Sequence, residues 1–214
     1  MDSFQDIVQA VRSCTPEQKQ SLFEEIRDSV VVHELERVWH LRAEVILEAI
    51  SRANDLTQRG VRGVIAETVF VLDVLPTAKG WQSDPPVGDL SYDACLHKDG
   101  RRVRIQVKTQ RRKAGAPMRQ RGSYVVEVQR TRTGQKNGVS TRPYRFGEFD
   151  LLAVCMWAST GDWHSFLYVP AARLIPDARD KNIIKTFQPV PNYESDEGDL
   201  WAKSLSAALD SVAP

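Results

Sequence analysis

With 214 residues, 42% hydrophobic and 27% charged, and a formal net charge of +1, the chain is long enough to bury a full core as one domain with a small helical appendage. No apolar run reaches the ~20 residues of a membrane span, and Met1-Asp2-Ser3-Phe4-Gln5-Asp6 lacks the basic-then-apolar order of a signal peptide, so no membrane partner and a cytoplasmic location are expected. Cys14, Cys95 and Cys155 are too few and too far apart for a disulfide framework, and His33, His40, His97 and His164 form no zinc-binding pattern.

Residues 2–13 are expected to form a short helix. Thr15-Pro16-Glu17-Gln18 reads as the next helix start: a hydroxyl N-cap, proline at the first helical position and a glutamine at the third. Leu22, Phe23, Ile26 and Val30 follow at helical spacing, and a further helix over about 33–54 aligns Leu35, Val38, Trp39, Val45, Ile46, Ala49 and Ile50. The expected division is therefore a helical segment over 1–55 and a mixed domain over 56–214.

From Gly60 to Leu75 apolar residues fall on nearly every side of any helix drawn through them, with Glu67 in the middle. On a helix its neighbours are Val64, Phe70, Val71 and Val74. A carboxylate on a buried element needs a compensating cation, metal or set of hydrogen bonds. Two glycines and two β-branched runs leave helix and strand both open here.

Trp81-Gln82-Ser83 suits a short strand, and a Pro-rich loop leads into a hairpin whose turn is Asp99-Gly100, because glycine tolerates the positive φ of a two-residue turn. On its second strand Val103, Ile105 and Val107 alternate with Arg102, Arg104, Gln106 and Lys108, which puts three apolar residues on one face and the polar set on the other. The strand before the turn is preceded by Asp89 and Asp93. A carboxylate thus stands beside a Gln-x-Lys across one hairpin.

Between Arg101 and Arg145 there are fourteen Lys or Arg and one acid, Glu127, a local net of +13 that leaves −12 for the rest of the chain. Charge of one sign concentrated around loops is the footprint of a polyanion partner, and nucleic acid is the usual one. A basic connection over 110–122 holds Arg111, Arg112, Lys113, Arg119 and Arg121, and a second basic loop after the strand Ser123–Gln129 holds Arg130, Arg132, Lys136, Arg142 and Arg145. Phe149 to Trp157 reads as a buried strand, Gly161-Asp162 as a turn and His164 to Val169 as the antiparallel neighbour. A short helix begins at Ala171, 176–198 is irregular, and a last helix carries Trp201, Leu205, Ala208 and Val212 on one face.

Helices first and a sheet after, with Glu67 on a helix, Asp93 in Gly-Asp-Leu-Ser-Tyr-Asp and Gln106 with Lys108 in Ile-Gln-Val-Lys-Thr, resembles the PD-(D/E)XK nuclease superfamily over about Gly60 to Pro170. Glu148-Phe-Asp-Leu-Leu-Ala-Val and Phe166-Leu-Tyr-Val-Pro look like that family's closing strand pair. The resemblance implies an α/β, restriction-endonuclease-like fold, a central mixed sheet of about five strands flanked by helices. The N-terminal helices, outside the resemblance, are open to dimerisation, DNA contact or packing against the core. The resemblance also implies a metal site of Asp93, Gln106 and Glu67 for Mg²⁺, with Mn²⁺ able to substitute, and Lys108 as the residue that orients or deprotonates the attacking water. Gln106 stands where the family more often has an acid, which shifts weight onto Glu67; Asp89 rivals Asp93 and reads otherwise as a turn residue. Arg102 and Arg104 share the strand face with Lys108 and join the two basic loops as the expected DNA surface. The implied activity is a Mg²⁺-dependent DNA endonuclease of the type II restriction kind acting as a homodimer. The alternatives are a Holliday-junction resolvase, a homing-type endonuclease, or a nuclease fold that binds nucleic acid without cutting it.

Overall fold

The computed structural model of the chain describes residues 3–27, 29–84, 88, 90–130, 135–136, 139–140, 142–194 and 200–212. It divides into two compact units, Met1–Gln58 and Arg59–Pro214.

The first unit holds α1 (Ser3–Ser13), α2 (Pro16–Arg27), α3 (Glu34–Trp39) and α4 (Ala43–Arg52). The cap of α2 forms as its sequence specifies: Gln18 N–H donates to Thr15 Oγ1 at 3.3 Å, and Thr15 N–H donates to Gln18 Oε1 at 2.9 Å. The single helix expected over 33–54 is instead two, because His40 turns left-handed (φ 51°) and ends α3. A polar cluster pins this break. Glu36 accepts the backbone N–H of Val32 at 2.8 Å and of Ala43, at the start of α4, at 2.6 Å. Arg27 pairs with Glu36 and, at 2.7 Å, with Glu44. Arg27 is only 5% exposed, whereas Leu35, Val38, Trp39 and Val45, expected to share one covered stripe, are exposed.

α5 (Asp55–Val69) is capped by Asn54, whose Oδ1 accepts the N–H of Thr57 at 3.0 Å. It widens into a π-helical turn over Phe70–Val74 and tightens into a 3-10 turn over Leu75–Thr77. The element is helical, which resolves the helix-or-strand ambiguity of 60–75. It is not buried all round, contrary to expectation: Ala66, Phe70 and Val74 are covered, whereas Val64, Ile65, Val71 and Leu72 are exposed. Covered residues four apart make a single helical face, which is enough to dock the helix.

The second unit is built on a five-stranded mixed sheet. Its strands are β1 (Gln82–Asp84), β2 (Ala94–Lys98), β3 (Arg101–Thr109), β5 (Leu151–Cys155) and β6 (Phe166–Pro170), in the order β1-β2-β3-β5-β6. The β3–β5 pair is parallel and the other pairs are antiparallel. β4 (Ser123–Glu127) leaves this sheet and pairs with β7 (Phe187–Val190), a strand within the stretch expected to be irregular, and with Arg119–Gln120. The Asp99-Gly100 turn forms with φ of 51° and 77°.

The central sheet separates two cores. Val103, Ile105, Val107, Leu151 and Ala153 face Ala66 and Phe70 of the α5 region and Leu205, Ala208 and Leu209 of a C-terminal helix. Leu152 and Val154 face the opposite way, toward Val126, Tyr144, Phe149 and Val190. That helix, Leu205–Ser211, is shorter than expected: Trp201 lies before it, and Ala202 exchanges two 2.9 Å backbone hydrogen bonds with Tyr168 of β6. The basic connection over 110–122 is also not a plain loop. Arg112–Lys113 pairs with Ala116–Pro117 across Ala114-Gly115, and Arg119–Gln120 pairs with β4 across Arg121-Gly122, each turn with both φ values positive.

Candidate functional site

The hairpin places Asp93 at the entry to β2, level with the C-terminal half of β3, where its N–H donates to Ile105 O at 2.9 Å. Asp93 Oδ2 accepts the backbone N–H of Val107 at 2.7 Å and a close hydrogen bond from Gln106 Nε2. Strand pleating sends Gln106 and Lys108 to the side opposite Val107. The face expected to be merely polar is buried at Gln106, which is 1% exposed. Its Nε2 also donates to Val107 O at 3.2 Å, and its Oε1 accepts the hydroxyl of Tyr144 at 3.1 Å. The amide therefore presents its nitrogen, not its oxygen, to Asp93.

Glu67 reaches this group from α5. Burial raises its pKa, the charge of Asp93 raises it further, and Lys108 opposes both. The pKa of Asp93 is also raised, mainly by burial, against the pull of Lys108 and of the hydrogen bonds from Val107 and Gln106. Burial lowers the pKa of Lys108, while Asp93 and Glu67 favour its charged form. The structure thus brings Glu67, Asp93, Gln106 and Lys108 into one cluster, in which the charges of Glu67, Asp93 and Lys108 bear on one another.

Among the described residues there is no group of three or more His, Cys, Asp or Glu able to hold a metal ion. The donor set is nevertheless one that Mg²⁺ accepts, since that ion keeps several waters and needs one or two carboxylates plus substrate phosphate. Burial works against the charged form of both carboxyls, and the charge of Asp93 adds to this at Glu67. Among the described residues no hydrogen bond reaches Asp93 Oδ1 or the Glu67 carboxylate. Carboxylate oxygens without a hydrogen-bond donor, beside one another in a buried site, fit a hard divalent cation.

The other expected site residues have diverse surroundings. Arg104 is committed to Asp150, donating from Nε at 2.9 Å and from a terminal nitrogen at 2.7 Å. Arg102 contacts Cys95 Sγ and the Tyr92 hydroxyl, each at 3.0 Å. Arg111 lies 3.3 Å from Glu127, Arg130 lies 2.7 Å from Glu148 and Arg145 lies 3.6 Å from Asp180. Arg112 sits over the Trp157 ring at 4.9 Å and Arg119 over Tyr124 at 4.4 Å. Arg142 donates to Gln129 Oε1 at 3.1 Å. Lys113 and Arg121 are exposed on the two tight turns. Asp89, Arg132 and the side chain of Lys136 lie outside the described residues.

Tyr144 is not legible in the sequence as a site residue. A tyrosine after proline in a basic stretch carries no periodic signal, and only the fold brings its hydroxyl to Gln106 and its ring to 5.6 Å from Lys108 Nζ and 5.1 Å from Arg130 Cζ.

Comparison with known proteins bears on this geometry. Residues 58–187 match the family described as PD-(D/E)XK endonuclease. A similar solved structure is that of a bacterial homing endonuclease, 26% identical, covering 65% of this chain and 82% of its own, with a TM-score of 0.41. No curated protein sequence matches the chain.

Proposed function

The chain belongs to the PD-(D/E)XK endonuclease family, and on that premise we propose that it is a Mg²⁺-dependent DNA endonuclease of the restriction kind, working as a homodimer so that two sites address two strands. The observation that carries the reading is the holding of Asp93 by Gln106 and the Val107 N–H beside the C-terminal half of β3, with Lys108 on the same strand face and Glu67 near enough for the charges to act on one another. Asp93 and Glu67 would hold the cation, and Mn²⁺ would substitute. When bound, the cation supplies charge stabilisation at the phosphoryl group and acidifies a water.

The chain's own residues then have distinct tasks. Lys108 is held among acids that favour its charged form and in a burial that opposes it, which suits an ammonium that orients the attacking water and stabilises phosphoryl charge. Gln106 fills the space beside Asp93 with a neutral amide, so the site gains no third negative charge. Lys113 and Arg121, exposed on adjacent turns, suit contact with the phosphate backbone, which fixes position and register without reading sequence.

The test is digestion of linear duplex, supercoiled plasmid, four-way junction, single-stranded DNA and RNA with and without Mg²⁺, followed by mapping of the cut ends. Mg²⁺-dependent cleavage of duplex at a short repeated sequence supports the reading. Cleavage confined to a long rare site or to the junction places the chain among homing-type enzymes or resolvases instead. Binding without cleavage in every arm removes the catalytic proposal.

A further inference from the structure

The buried amide of Gln106 has two ends in different surroundings. On the Nε2 side stand two acceptors, Asp93 Oδ2 and Val107 O, the latter at 3.2 Å, and on the Oε1 side stands one hydroxyl, that of Tyr144, at 3.1 Å. Amide nitrogen can only donate and amide oxygen can only accept, so this arrangement fixes one orientation. In it Asp93 Oδ2 is tied to an N–H, and the amide turns its nitrogen rather than a ligating oxygen toward the carboxylate.

Tyr144 is placed rigidly enough to matter. It is 5% exposed, its ring lies edge-on to Phe149 at 5.4 Å, and its backbone carbonyl accepts the N–H of Ile184 at 2.8 Å. Lys108 and Arg130 both approach the same ring. The ring cannot follow the amide, but its hydroxyl can rotate. A hydroxyl donates or accepts, so it satisfies either end of the amide.

We propose that Tyr144 is the positioning residue of the site: by donating to Gln106 Oε1 or accepting from Gln106 Nε2, it lets a buried glutamine turn over and present oxygen beside Asp93 when a divalent cation arrives. This rests on the reading of Asp93 as a cation ligand. Tyr144→Phe keeps the packing and removes the hydroxyl: in the cation-free orientation only the amide oxygen loses its partner, whereas in the turned orientation the amide N–H groups lose their acceptor, the costlier loss in a buried site, so the penalty falls on the cation-binding state. Glutamate at 106 has oxygen at both ends and needs no turn.

The experiment measures divalent affinity without turnover, by Mn²⁺ electron paramagnetic resonance or Ca²⁺ calorimetry, on the full chain. Tyr144→Phe is expected to weaken binding about tenfold, as loss of a residue that orients a metal ligand does. Tyr144→Phe added to Gln106→Glu is expected to change it by less than about twofold. Equal losses from Tyr144→Phe in the wild-type and Gln106→Glu backgrounds, or no loss at all, overturn the proposal. Should the phenylalanine variant not fold, the wild-type protein still decides: the side-chain amide resonances of Gln106 must shift on Ca²⁺ addition, and unmoved resonances at saturating Ca²⁺ count against the turn. Asp93→Asn separates the two levels of argument, because wild-type affinity in that variant removes the metal site itself rather than the role of Tyr144.

Discussion

Glu67, Asp93 and Lys108 are each held where burial works against their charged form. A carboxyl group whose pKa is higher folded than unfolded costs stability when ionised. That cost is complete above the folded value and disappears as pH falls below the unfolded one. Glu67→Gln is therefore expected to raise the thermal midpoint in chelator at neutral pH, with the advantage fading toward acid; a lower midpoint at pH 7 would contradict the assigned burial. Lys108→Ala is expected to lower cleavage by about 10²–10⁴-fold without weakening Mn²⁺ binding, since its proposed role is toward water and phosphate rather than the cation. Arg104 belongs to a different account. With its backbone N–H at 2.8 Å from Asp150 and its guanidinium bonded to both oxygens of that carboxylate, Arg104→Ala is expected to cost about 2 kcal/mol of stability and leave DNA affinity nearly unchanged. Chemical denaturation beside a gel shift checks both halves.

At the scale of elements, the break between α3 and α4 shows how one buried cation organises a helical unit. Hydrogen bonds to Glu36, first from Ala43 N–H, together with Arg27, hold its carboxyl down to about 2. A depressed carboxylate contributes stability that is present above its unfolded value, about 4.3, and is lost as pH falls through the folded one. Circular dichroism is thus expected to show helix loss between about pH 4.3 and pH 2 that is absent in Glu36→Gln, a variant already weakened at neutral pH. If both chains lose helix along the same curve, Glu36 does not hold the break. The hairpin of β2 and β3 illustrates the opposite case, in which local chemistry sufficed. Asp99-Gly100 specifies the turn, alternation specifies the faces, and register follows from both.

For the whole molecule, the charge asymmetry of the sequence is real and is answered in part within the fold. Arg104, Arg111, Arg130 and Arg145 of the basic stretch each face an acid. The exposed lysine and arginine of the two tight turns are the better placed to meet phosphate. Lys113→Ala and Arg121→Ala are each expected to reduce the slope of log affinity against log salt by about one, whereas Arg104→Ala leaves it unchanged. An unaltered slope in both turn variants would move the DNA surface elsewhere.

By itself the sequence determined the parts governed by local rules: the capping box at Thr15, the hairpin at Asp99-Gly100, the alternation of β3, the buried strand at 151–155, and the placing of Asp93, Gln106 and Lys108 on one hairpin. These follow from φ preference and period-two geometry, which act within a few residues. Only the tertiary structure decided what depends on distant partners. It split the helix at His40 around Arg27, carried β4 out of the central sheet to pair with β7, matched basic residues to acids far along the chain, and set Tyr144 against Gln106 across 38 positions. No local pattern encodes such a contact, because it is fixed by how the layers pack and by the need of a buried amide to keep both its ends hydrogen-bonded.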